Sequence, residues 1–171
     1  MSMKLENDEM FFKWSPAYSV NIEAIDNQHR ELVNILNHLF IAVSKREGNK
    51  VIAEILDALT HYTQTHFLLE ERLMREAEYR DIDAHMKEHR KLLDQLEQLS
   101  KKHLLEEKPI YFEMLSFLKC WLKEHIQGVD TKYSAALVQS GFSVESWELE
   151  ATEEFARMPD SGKLREIWKA A

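Results

Sequence analysis

The sequence predicts an all-α fold, an up-down-up-down antiparallel four-helix bundle, and three observations carry that prediction. Apolar residues recur at helical spacing through four separate segments, which marks one buried face per segment. The chain of 171 residues holds only four glycines and three prolines, so little in it interrupts a helix. The breaks between segments are short, and short connections make consecutive helices antiparallel neighbours.

Residues 1–20 read as a nonhelical N-terminal arm, because Trp14, Ser15, Pro16 and Tyr18 favour an extended or turning course. The bundle is expected over 21–140. Its first helix runs from Ile22 to about Lys45, with Ile25, Leu32, Ile35, Leu36, Leu39 and Val43 on one face. Glu47-Gly48-Asn49 breaks the pattern. The second helix spans about Val51 to Arg75 and carries Ile55, Leu59, Tyr62, His66, Leu69 and Leu73. A link at 78–81 leads to the third, near Ile82 to Lys102, with Leu92, Leu93, Leu96 and Leu99. Pro109 suits the first turn of the fourth, which carries Tyr111, Leu115, Leu118, Leu122 and Ile126 and continues to about Gln139 before Gly141 stops it. Residues 141–171 form a C-terminal helical extension: one short helix through Trp147 and Phe155 to Met158, a turn at 159–162, and a second through Leu164, Ile167 and Trp168.

Composition narrows the class of function. The formal charge is −8, from 30 acidic and 22 basic residues, with no Lys/Arg cluster, so nucleic acid is not an expected partner. No apolar run approaches the roughly 20 residues that span a bilayer, and the charged N-terminus is no signal peptide. Cys120 is the lone cysteine and is expected to be a small buried hydrophobe. These features predict a cytoplasmic protein without a membrane partner.

The histidines are where chemistry enters. His66 and Glu70 are four residues apart on the second helix, and His85 and His89 are four apart on the third. Such pairs lie about 40° apart around the axis, so both side chains reach one centre. His29 lies early in the first helix; His125 and Asp130 lie late in the fourth. The intervals His29–His66 and His89–His125 are 37 and 36 residues, each taking the chain along one helix and back to the same height. Five imidazoles and two carboxylates are too rich in nitrogen for calcium or magnesium and too many for one tetrahedral zinc. Two ions sharing bridging carboxylates account for the number, and imidazole with carboxylate suits iron. The Glu and Glu-x-x-His pattern of ferritin-like bundles is missing. Asp130 is five residues beyond His125, about 140° off its face in a regular helix, so a widened or π-type turn is expected there, with Gly128 permitting it.

Together, Ser19-Val20, Ile25-Asp26, Gln28-His29, His66-Phe67, Glu70-Glu71, His85, His89, Trp121-Leu122, His125-Ile126 and Asp130 resemble the bacterial hemerythrins in order and spacing over about residues 12–138. The resemblance implies that His85, His89 and His125 bind one iron and that His29 and His66 bind the other. It implies bridges from Glu70 and Asp130 and a third, oxo or hydroxo, bridge. One position at the second iron is then open to dioxygen. Glu70, not Glu71, is assigned because it lies four residues from His66 on the same face. Leu32, Phe67, Trp121, Leu122 and Ile126 are implied as the pocket lining, where an apolar wall excludes water and slows oxidation; helical spacing alone makes the same residues core.

The remaining histidines, His38, His61 and His103, lie off the face or far along the helix and are expected not to be ligands; His38 is expected to be solvated. Tyr133, one turn after Asp130, serves equally well as core or as a hydrogen-bond partner near the bridge. The expected function is reversible dioxygen binding at an Fe2+/Fe3+ pair, for storage, delivery or sensing, with no catalytic residue. The alternatives are a redox enzyme turning over peroxide or nitric oxide, and an interaction module in which residues 142–171 meet a protein partner or a second copy. An enzyme needs a proton donor near the open site, and the expected pocket offers none.

Overall fold

The computed structural model describes residues 10–105, 111–144 and 147. Its helices are α1 (Glu23–Ser44), α2 (Asn49–Glu76), α3 (Ile82–Leu105), α4 (Tyr111–His125) and α5 (Thr131–Ser140). A π-helical turn over Ile126–Asp130 joins α4 to α5. These last three pieces follow one another without a break and make the fourth long rod of an antiparallel four-helix bundle. Among the described residues, α2 packs on α1 and α3, and α1 packs on α4. The expected start at Pro109 and the tail expectations at Phe155, Met158, 159–162, Leu164, Ile167 and Trp168 lie outside the described residues.

The periodic apolar residues meet inside the bundle. Ile25, Leu36 and Leu39 of α1, Ile52, Leu56 and Leu73 of α2, Leu96 of α3, and Met114 and Ile126 of the fourth rod are each at most 1% exposed. Full burial of such side chains stabilises by about 1.5–3 kcal/mol apiece before ordering costs are set against it. Met74 and Met114 are buried core and Met86 is half-buried.

Left-handed residues other than glycine end two helices. After α1, Arg46 has φ 56° and the N–H of Glu47 returns to the carbonyl of Ala42; after α2, Glu78 has φ 53° and the N–H of Tyr79 returns to that of Met74. Gly48 instead stands at the N-cap of α2 with φ −65°, so the break at 47–49 starts a helix more than it stops one. Gly141, at φ 70°, caps α5 as expected.

Phe11 and Phe12 bind the arm to the bundle, Phe11 stacking on Phe40. A 3-10 turn at Pro16–Tyr18 is capped by Ser15, and the buried Asn37 amide both accepts from the N–H of Phe12 and donates to its carbonyl, at 2.8 Å each. Asp26 accepts from the N–H of Val20, and the Ser134 hydroxyl donates to the Val20 carbonyl. Past α5, Phe142 and Val144 pack against the core and Trp147 is 4% exposed within it. Among the described residues no helix is long and apolar enough to cross a membrane.

Candidate metal centre

Each bundle rod brings its expected ligands to one level. His29 lies two turns into α1, His66 and Glu70 in the second half of α2, His85 and His89 in the first third of α3, and His125 at the end of α4. The π turn does for Asp130 what the five-residue spacing required: the extra residue returns its carboxylate to the His125 face, with Oδ1 3.0 Å from His125 Nε2. Gly128 is not the cause. Its φ is outside the left-handed region and an added Cβ would meet nothing within 4 Å, so the turn has room for alanine as well.

All seven predicted residues converge, and each is at most 4% exposed. They fall into two groups of ligand atoms close enough to share an ion: Glu70, His85, His89, His125 and Asp130 in one, and His29, His66 and Glu70 in the other. Glu70 belongs to both. Asp130 spans them too, with Oδ1 3.3 Å from His85 Nε2 and Oδ2 3.3 Å from His29 Nε2. A first-row ion holds imidazole nitrogen at about 2.1 Å, so neighbouring ligands of one ion lie about 3 Å apart. The observed edges match: 2.9 Å between His85 and His89 Nε2, 3.3 Å from His89 Nε2 to Glu70 Oε2, and 3.5 Å from His66 Nε2 to Glu70 Oε2.

The electrostatics point the same way. Among the described residues, His29 Nε2, His125 Nε2, Glu70 Oε2 and both carboxylate oxygens of Asp130 are buried without a hydrogen-bond partner; even the His125–Asp130 contact lacks hydrogen-bond direction. Buried polar groups are seldom left so, because each orphan costs about 1–3 kcal/mol. Convergent lone pairs of this kind fit cations. Burial drives the His66 imidazole down to about 3, which keeps it neutral and able to donate its lone pair. His125 goes the other way: burial opposes its charge, yet Asp130 beside it raises its pKa. Burial opposes the charge of Glu70 as well, but His66, His85 and His89 hold its carboxyl well below the usual range.

Neighbours fix the imidazoles. The Nδ1–H of His66 donates to Gln28 Oε1 at 2.7 Å, and that of His89 donates to Glu71 Oε1 at 3.0 Å, which leaves each Nε2 free toward the centre. Tyr133 is fully buried and its hydroxyl donates to Glu70 Oε1 at 2.6 Å, so it is a partner of the shared carboxylate as well as core. Sequence reasoning missed the roles of Gln28 and Glu71. Each sits next to a ligand position, about 100° off the ligand face, and so faces the neighbouring helix; a polar side chain at such a buried site was the available signal. Trp14 of the arm was missed as well, with its ring centroid 6.4 Å from that of His29.

Among the expected pocket residues, Leu32, Phe67, Leu122 and Ile126 are buried and Trp121 is half-buried. Phe67 stacks on His89 at 3.6 Å and Trp121 on His125 at 4.4 Å, so the two rings wall the three-histidine group, and Phe67 also reaches His66 at 5.7 Å. The three other histidines stay out of both groups. His61 bonds the Asp57 carbonyl and His103 lies against the Asn49 carbonyl. His38 is half-buried where solvation was expected. Cys120 corrects a further expectation: it is exposed, its thiol donating to Glu124 and pushed up in pKa by that carboxylate. It sits on the solvent side of α4, one residue from a face that helical spacing alone did not delimit.

The chain is similar to known proteins over most of its length. The family model for the Hemerythrin HHE cation binding domain matches residues 20–137. A bacteriohemerythrin of Stenotrophomonas maltophilia is 32% identical over 121 residues, covering 71% of this chain and 78% of that protein. One from Methylococcus capsulatus is 33% identical over 126 residues, covering 72% and 95%. A myohemerythrin of Theromyzon tessulatum is 27% identical over 126 residues, covering 74% and 93%. A solved structure of a wild-type hemerythrin superposes with a TM-score of 0.69 at 31% identity, covering 74% of this chain and 98% of that one.

Proposed function

The chain belongs to the hemerythrin family, and from that premise we propose that it holds two iron ions at this centre and binds dioxygen reversibly there. The observation that carries the proposal is the sharing of Glu70 between two ligand groups, which calls for a pair of ions and not one. His85, His89 and His125 would hold one iron, His29 and His66 the other, with Glu70 and Asp130 across both. The first iron then takes five protein residues and the second four, so the second has room for a small ligand. Bound iron supplies the electrons for the reversible chemistry.

The chain's own residues shape that chemistry. Gln28 and Glu71 hold His66 and His89 in the metal-binding tautomer. Leu32, Phe67, Trp121, Leu122 and Ile126 form the apolar wall that keeps water and anions out, which favours release of the ligand over its reduction. The Tyr133 hydroxyl donates to the shared carboxylate, and burial together with the Glu70 charge raises its pKa well above the ordinary value, so it keeps its proton. A poor acid at this position favours binding over the turnover of peroxide or nitric oxide.

The test has two parts. Elemental analysis should find two irons per chain, and a single zinc would end the proposal. Air should then give the reduced protein a visible absorption band that disappears under argon; rapid irreversible bleaching would favour the enzyme.

A further inference from the structure

The two orienting neighbours differ in charge. Glu71 offers a carboxylate to His89, in the three-histidine group, whereas Gln28 offers a neutral amide to His66, in the two-histidine group. His29, the other member of the second group, has a buried Nδ1 with no hydrogen-bond partner among the described residues. A carboxylate on the far side of an imidazole draws its N–H proton outward and makes the metal-facing nitrogen a stronger donor; an amide does so less. The second oxygen of Glu71 lies 3.4 Å from the Arg75 guanidinium, but that side chain is 54% exposed, so solvent screens it and the carboxylate keeps most of its influence on the buried side.

We propose that Glu71 and Gln28 are positioning residues that supply the two metal ions unequally: Glu71 stabilises the ferric state at the three-histidine iron, and the neutral Gln28 leaves the two-histidine iron, where the small ligand binds, easier to keep ferrous. The asymmetry has a direct use. A centre that must release its ligand unchanged is better served when the ligand-binding ion is the less strongly donated, since weak donation resists permanent oxidation. The polarity of the two neighbours thus sets the resting balance without touching a ligand atom.

This inference rests on the two-iron reading, and the test separates them. Full-length wild-type, Glu71→Gln, Glu71→Leu and Gln28→Glu proteins are loaded with iron, counted for iron, and titrated by spectroelectrochemistry. Glu71→Gln keeps the acceptor but removes the charge; it should hold two irons while shifting the ferrous-to-ferric ratio at fixed potential about tenfold toward ferrous, or 59 mV for one electron. Gln28→Glu should shift the ratio about as far toward ferric. Glu71→Leu, which has neither charge nor acceptor, should lose iron to a chelator about 10–100 times more readily than Glu71→Gln does. Two-iron variants whose ratios stay within twofold of wild type overturn this inference and leave the two-iron reading standing. A wild-type chain that takes up fewer than two irons overturns both.

Discussion

Tyr133 and Glu70, 63 residues apart, meet at 2.6 Å in the interior, where the phenol donates to the carboxylate that both ligand groups share. The hydroxyl is the one hydrogen-bond donor that Glu70 Oε1 receives from outside the histidine set among the described residues, and the ring is fully buried against Tyr79 and His85. The contact ties α5 to α2 behind the centre.

Removing that hydroxyl should therefore cost stability even without metal. Tyr133→Phe keeps the ring and its packing but leaves a buried, charged acceptor without its donor. A hydrogen bond to a charged group contributes about 1.5–3 kcal/mol. Urea denaturation of the metal-free variant should show a loss of that size; a change below about 0.5 kcal/mol would mean the carboxylate finds another partner.

Much of the centre could be read from the chain because helices convert sequence intervals into heights. The spacings of His29, His66, His85, His89 and His125 needed only 1.5 Å per residue and short connections to bring them level. The five-residue step to Asp130 forecast the π turn, since no regular helix could return it. What was not legible depends on which neighbour a side chain meets. Glu71 and Gln28 cross to another helix, and no interval along the chain says which histidine they reach. The side of α4 that carries Cys120 and the burial of Trp147 are set by packing between rods, not by periodicity within one. Arg46 and Glu78 hold left-handed positions where the sequence offers no glycine, so composition gave no sign of them.

Gly128→Ala separates the turn from its glycine. The site has open space for a Cβ and no left-handed φ, so the π turn is held by the burial of Asp130 and by the Thr131 hydroxyl on the Gln127 carbonyl. Alanine should leave the bound iron count unchanged and alter stability by no more than about 1 kcal/mol, in the stabilising direction because glycine is the looser residue unfolded. Loss of iron in this variant would show that the turn needs its glycine.

Glu78→Gly should stabilise the chain. Glu78 is exposed and holds φ 53° after α2, a conformation that costs a residue with a Cβ about 1–2 kcal/mol and glycine almost nothing. Glycine's greater freedom in the unfolded chain takes back part of that gain. The net expectation is about 0.5–1 kcal/mol, seen as a higher urea midpoint at unchanged slope. A lower midpoint would show that the Glu78 side chain contributes something its backbone geometry does not reveal.

In the metal-free protein the pKa values of His66 and His125 should be shifted in opposite directions. Burial lowers the folded pKa of His66 to about 3, from an ordinary value of 6.5, so its neutral form is the folded one. Its contribution to stability is fully present above 6.5 and is lost as pH falls from there toward 3. Glu70, also depressed, adds a loss below its ordinary 4.5. His125 is raised by Asp130, after burial has opposed it, so its contribution is present below 6.5 and disappears as pH rises through its folded pKa. Histidine ring signals followed by NMR on the metal-free chain should show His66 unmoved between about pH 8 and 5 while His125 takes up its proton above 6.5. A His66 resonance that titrates near 6.5 would mean that water reaches the ring, and that burial does not keep its nitrogen ready for a metal.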